Sequence, residues 1–137
     1  MKTTKLTHIT GCCLITGASH GIGKAFAHEW ASKGVSILAI SIDTDALAIL
    51  KEEVESIYKV SCHTLVKDLL EPNASNEVYD WCTENNINIQ VLVNNVGIGS
   101  AGSFEETTID FDMCLVKLNI FPMLQLTKIF LPMLKEF

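Results

Sequence analysis

The stretch Thr16-Gly17-Ala18-Ser19-His20-Gly21-Ile22-Gly23 follows a short apolar run and precedes a segment whose apolar residues return at Ile22, Phe26 and Trp30. The run before it reads as a strand, and the spacing after it reads as a helix. Gly17 permits a tight turn, Gly21 lets the backbone approach a pyrophosphate, and Gly23 lets the helix lie close on the strand. A helix starting near Ile22 would aim its unpaired N–H groups and positive dipole end at that phosphate. A glycine-rich turn without a ligand carries the same three residues. The strand before and the amphipathic helix after are the context that a dinucleotide motif requires.

Working outward, residues 35–41 are short, apolar and bounded, as a strand buried on both faces is. Asp43 is placed to cap the next helix, in which Leu47, Leu50, Val54 and Ile57 form one apolar stripe. Residues 60–67 read as a third strand. Pro72 and Asn73 open a third helix carrying Val78, Trp81 and Cys82, which ends at Asn85-Asn86. Residues 87–93 read as a fourth strand. Residues 108–137 form a long apolar-rich helix pattern interrupted by Pro122 and Pro132, with a kink expected close to Asn119 because Pro122 leaves the Leu118 carbonyl without its donor. Strands alternating with helices predict an α/β fold with a doubly wound parallel sheet, in strand order 3-2-1-4.

Composition narrows the function. Apolar residues make up 48% of the 137 and charged residues 19%, a globular balance within one domain. A net charge of -6, ten lysines and no arginine argue against nucleic acid as a partner. Five cysteines, four inside predicted elements, favour free thiols in a reducing, cytoplasmic setting over a disulfide framework. The segment Ile9-Thr10-Gly11-Cys12 imitates a lipoprotein cleavage box, but residues 1–8 are polar rather than the apolar stretch such a box needs. No later run reads as long and uninterrupted enough for a membrane span, and no metal site is read from the sequence.

Further motifs lie at strand ends in a fixed order. The glycine spacing is Gly-x-x-x-Gly-x-Gly; Asp68-Leu69 follows the third strand, Asn94-Asn95-Val96-Gly97 the fourth, and Asn119 lies in the long helix. Together these resemble the short-chain dehydrogenase/reductase family and cover the first half of a typical member. The resemblance implies a Rossmann-type fold that holds NAD(P) through Gly17, Ser19, His20, Gly21, Ile22, Gly23, Ser41, Asp68, Leu69, Asn95, Val96 and Gly97. It also implies a catalytic role for Asn119. Val96 and the wording Leu131-Pro132-Met133 look most like the branch that contains 3-oxoacyl-CoA reductases and hydroxysteroid dehydrogenases.

Family members move hydride between nicotinamide and a carbonyl or alcohol, using a tyrosine as acid/base, a nearby lysine that lowers its pKa, and a serine. A phenol of pKa about 10 needs that shift to exchange protons near neutrality. The Tyr-x-x-x-Lys motif is absent here, because neither Tyr58 nor Tyr79 has a lysine four residues on. The expectation is a dinucleotide-binding domain over residues 1–137, truncated before the catalytic serine and tyrosine, that binds nucleotide poorly alone and catalyses nothing. Such a truncation would leave an apolar edge on the fourth strand. The resemblance also implies a homo-oligomer through residues 108–137, where Phe121, Leu124, Phe130 and Leu134 either meet another subunit or only cover the sheet.

Cofactor choice turns on the end of the second strand. NAD-preferring enzymes place a carboxylate there; here Ser41 and Ile42 stand instead, without the arginine that NADP-preferring members often add. His20 occupies a position where such members often carry a basic residue, and Asp43 either caps its helix or turns to the ribose. The balance leans to NADP. The loop 97–104 is either one wall of a cleft for a small carbonyl or alcohol substrate or a plain connector. Two other readings remain at this level: a short nucleotide-binding or sensing module without catalysis, and a degraded product with no function.

Overall fold

The computed structural model describes residues 9–136; the polar segment 1–8 that bears on the lipoprotein question lies outside them. The elements run β1 (Cys12–Thr16), α1 (Gly21–Ser32), β2 (Ser36–Ser41), α2 (Thr44–Tyr58), β3 (Cys62–Val66), α3 (Ala74–Glu84), β4 (Ile89–Val93) and α4 (Ile109–Lys135). A three-residue 3₁₀ turn, Phe104–Glu106, precedes α4. The strands form one parallel sheet in the order β3-β2-β1-β4, as the alternation of elements predicts.

Alternation along each strand builds two cores. Cys13, Ile15, Ile37 and Ala39 face α1 and α2, where they meet Ala27, Ala31, Leu47, Leu50 and Val54. Cys12, Leu14, Leu38 and Ile40 face α3 and α4, where they meet Val78, Cys82, Leu126 and Phe130. On this second face Tyr79 packs edge-on against Phe130, ring centroids 5.3 Å apart, joining α3 to α4.

Three features differ from what the pattern of apolar residues alone suggests. The buried side of α1 is Gly23, Ala27 and Ala31, whereas Ile22 and Phe26 are 71% and 41% exposed. Gly23 draws the helix so close to β1 that only small side chains fit beneath it, which turns the large ones outward. On α2, Leu47, Leu50 and Val54 are buried as expected, but Ile57 is exposed at the end of the helix. Finally, α4 continues through both prolines for 27 residues and is long and apolar enough, by length and composition, to cross a membrane. Read in the sequence, the prolines break that run, but in the structure they do not end the helix.

The apolar surface of α4 divides. Pro122, Leu126 and Phe130 are buried, and Leu134 is half-buried against the same core. Phe121 and Leu124 point away and are exposed, with Ile109, Met113, Val116 and Ile120. At the β4 edge, Val91 and Val93 are half-buried against the α1/α2 core.

Candidate functional site

The site grows from the C-terminal ends of the strands, where open parallel sheets hold their ligands. Thr16, the last residue of β1, is fully buried. Its hydroxyl accepts from the backbone N–H of Asn95 and of Val96, each at 2.9 Å, and lies 3.5 Å from the Val93 carbonyl. One hydroxyl thus fastens the end of β1 to the chain leaving β4. The sequence reading missed this residue, because its partners lie about eighty positions away and a strand-terminal threonine gives no local sign of them.

Asn95 reinforces the junction. Its Nδ2 donates to the Thr16 carbonyl at 2.9 Å and the Gly17 carbonyl at 3.1 Å, so this side chain holds the glycine loop in place. The loop itself explains its glycines. Gly17 and Gly21 have φ of 63° and 53°, in the left-handed region that favours glycine. A Cβ on Gly23 would stand 2.1 Å from the Gly17 carbonyl oxygen, which forbids any side chain there. A Cβ on Gly21 would meet nothing within 4 Å, leaving open space above the start of α1.

That helix start has no side-chain cap, as His20 occupies the N-cap position without bonding the first turn, and no acidic residue lies in that turn. By contrast, α2 is capped by Asp43 and α4 by Thr108. The N–H groups of α1 therefore remain available beside open space, an arrangement suited to a pyrophosphate. A cavity of about 350 Å³ continues from Gly17 along Ile40, Ser41, Asp68, Leu69, Val96 and Gly97. Its mixed floor of apolar side chains and backbone has room for a nucleoside.

The remaining predicted residues fall as follows. The Asp68 carboxylate accepts from Leu70 N–H at 2.9 Å and forms a turn, so its side chain is already engaged, while Leu69 is almost wholly buried yet still borders the cavity. Ser19 is buried, and its Oγ lies 2.7 Å from Ser41 Oγ, tying the glycine loop to the end of β2. His20 Nδ1 is 3.0 Å from Ser19 Oγ, and Asp43 N–H donates to Ser41 Oγ at 3.2 Å. Ile22 is exposed in the first turn of α1 and is not among the residues that line the cavity.

Asn119 reaches from α4 to the loop after β4. Its Oδ1 accepts from Ile98 N–H at 2.9 Å, and its Nδ2 donates to the Ile98 carbonyl at 2.8 Å. A Cβ on Gly97 would approach Asn119 Oδ1 to 2.6 Å, which accounts for glycine at that position. The side chain is thereby spent on the backbone, and what Asn119 can offer a reaction is its placement of the 97–99 segment and its own main chain.

Burial raises the thiols of Cys12, Cys13, Cys62 and Cys82, the last three to about 12, so each is held as a neutral thiol. Among the described residues no group of histidines, cysteines or carboxylates is placed to hold a metal ion.

With this geometry in hand, a sequence profile described as short chain dehydrogenase matches residues 11–136. The chain belongs to the short-chain dehydrogenase family. It is 34% identical over 125 residues to a very-long-chain 3-oxoacyl-CoA reductase-B of Danio rerio, covering 87% of this chain and 39% of that one. It is 39% identical over 84 residues to a very-long-chain 3-oxoacyl-CoA reductase of Debaryomyces hansenii, covering 61% of this chain and 24% of that one. Among solved structures, a short-chain dehydrogenase from Sphingobium yanoikuyae in complex with NADPH superposes with a TM-score of 0.81 at 29% identity, over 89% of this chain and 47% of that one. The matched stretch is thus less than two fifths of these curated relatives, and about half of the solved dehydrogenase. The match to named 3-oxoacyl-CoA reductases agrees with the wording of Val96 and Leu131-Pro132-Met133.

Proposed function

We propose that this chain is the dinucleotide-binding half of an NADP-preferring oxidoreductase that moves hydride between nicotinamide and a carbonyl or alcohol carbon. The observation that carries the reading is the uncapped start of α1 beneath Gly21, opening into the cavity that ends at Ser41 and Asp68. The α1 N–H groups and the open space at Gly21 would hold the pyrophosphate, and the cavity would take the adenosine. The cofactor supplies the hydride. The protein's share is to bind and orient it and to manage the proton.

Of the proton chemistry, only the Asn119 position is in this chain. The Tyr-x-x-x-Lys pair and its serine are not among the 137 residues, and we assign them to the remainder of the parent protein. The chain alone is accordingly expected to bind nucleotide weakly and to turn over nothing. The relatives named above favour a 3-oxoacyl thioester as substrate, with the exposed loop 97–103 as one wall of its cleft. The exposed face of α4, Met113, Val116, Ile120 and Leu124, is assigned to a subunit interface, and the neutral, unbridged cysteines support a reducing, cytoplasmic setting. Sedimentation of the parent protein as a dimer or tetramer supports that interface, and a strict monomer contradicts it.

The test is NADPH consumption at 340 nm with a long-chain 3-oxoacyl-CoA. The parent protein should oxidise NADPH only when the thioester is present, and the 137-residue chain should not. Turnover by the chain alone, or none by the parent with any ketone, contradicts the assignment.

A further inference from the structure

One residue ties the cavity wall that follows β3 to two different elements. Lys67 stands directly after β3 and lines the cavity together with Asp68, Leu69 and Leu70. Its backbone N–H donates to the carbonyl of Ser41, the last residue of β2, at 2.9 Å. Its ammonium reaches the other way, donating to Glu71 Oε2 at 2.6 Å and pairing with Glu77 in the first turn of α3. Lys67 therefore spans from the sheet to α3 beside the wall it belongs to.

A lysine at the rim of a nucleotide pocket invites the reading that it meets a phosphate. The geometry argues otherwise. Its side chain is only 18% exposed, against 54% and 51% for the two carboxylates that clasp it. Hydrogen bonds to Glu71 and then to Glu77 hold its ammonium above the ordinary lysine range, so the charge is kept and already answered. The rest of the wall is held by short-range contacts. Leu70 N–H donates to the Asp68 carboxylate at 2.9 Å, Glu71 N–H to the Asp68 carbonyl at 3.2 Å, and Ala74 N–H to the Glu71 carbonyl at 3.2 Å. These bonds shape the turn, and apart from the burial of Leu69 they do not tie it to the sheet.

We propose that Lys67, held by Glu71 and Glu77, is a positioning residue that fixes the Asp68-Leu69-Leu70 wall between β2 and α3 and does not itself touch the cofactor. This rests on the dinucleotide reading of the pocket and adds what holds its adenosine end in shape. A wall ordered before the ligand arrives spares binding the cost of ordering it. Hydride leaves from the opposite end of a dinucleotide. The latch therefore acts on cofactor affinity and leaves the chemical step alone.

Binding of NADPH to the parent protein, followed by nicotinamide fluorescence, and steady-state NADPH consumption with a long-chain 3-oxoacyl-CoA test this together. Lys67→Met should weaken NADPH binding and raise its KM by about three- to tenfold, the scale of two lost ion pairs, with kcat within about twofold of the wild type. Glu71→Gln and Glu77→Gln should each act in the same direction by about two- to fivefold, and add little once Lys67→Met is present. Lys67→Arg, which keeps the charge, should recover most of the affinity. Tighter NADPH binding in Glu71→Gln or Glu77→Gln, the mark of a lysine released to meet a phosphate, would overturn the latch. So would unchanged binding in Lys67→Met, or a fall in kcat at unchanged KM. Each of these results leaves the dinucleotide reading intact, whereas a wild-type parent protein that binds no NADPH would overturn both.

Discussion

Thr16 and Asn95 show how a few polar contacts place a ligand site they do not themselves line. The Thr16 hydroxyl accepts from two backbone N–H groups, and Asn95 holds two carbonyls of the glycine turn. Removing the hydroxyl leaves both N–H groups without their acceptor in a partly buried junction. Each such loss costs about 1–3 kcal/mol. Thr16→Val, which keeps shape and loses the oxygen, should lower unfolding free energy by about 2–4 kcal/mol in urea titrations, while Thr16→Ser stays within about 1 kcal/mol. A larger loss in Thr16→Ser than in Thr16→Val would mean that packing of the methyl group, rather than the hydroxyl, holds the junction. The part played by Thr16 was not legible in the sequence, where it is only the last residue before a glycine, whereas Asn95 was marked by the Asn94-Asn95-Val96-Gly97 motif without its partners. Gly17, Gly21 and Gly23 were legible, because their spacing encodes a turn, an opening and a close approach within eight residues.

At the scale of elements, local chemistry read correctly and tertiary proximity did not. Asp43 caps α2 as expected, since a cap is decided by the three residues after it. The strand order followed from the alternation of apolar strands and helices. The face of α1 did not follow, because periodicity draws attention to large apolar residues, whereas a helix seated on Gly23 buries small ones. Ala27 lies wholly buried between α1 and the sheet, while Phe26 beside it is 41% exposed. Ala27→Leu should thus destabilise by about 1–3 kcal/mol through overpacking, and Phe26→Ala should cost less. The reverse order in thermal or chemical denaturation would place the buried side of α1 on the large residues after all. The span of α4 was legible as one helix pattern over residues 108–137, which the structure has as Ile109–Lys135; what the prolines hid was a run long and apolar enough, by length and composition, to cross a membrane.

For the molecule as a whole, two cores on opposite faces of one sheet carry the stability, and both contain buried thiols. Cys13, Cys62 and Cys82 are raised by burial from 9.0 to about 12. In the unfolded chain these thiols ionise near pH 9, while the folded chain keeps their protons. Their contribution is therefore fully present below about pH 9 and lost as pH rises through about 12. The urea midpoint should hold steady up to about pH 8.5 and then fall steeply by about pH 10.5; a level midpoint across that interval would mean that the thiols are not shielded.

The fold exists to bring β1, β2 and β4 to a common end, where the glycine loop, the open start of α1 and the cavity meet. That this end holds a dinucleotide is the central claim, and Gly21 tests it most directly. The space above Gly21 is open and aspartate tolerates left-handed backbone, so Gly21→Asp should leave the circular dichroism unchanged while placing a carboxylate where the pyrophosphate must lie. Calorimetric titration of the parent protein with NADPH should give saturable one-site binding in the wild type and at least about a hundredfold weaker binding in Gly21→Asp, the scale of about 2.7 kcal/mol. Equal affinity in the two proteins would show that the dinucleotide binds elsewhere and would contradict the account.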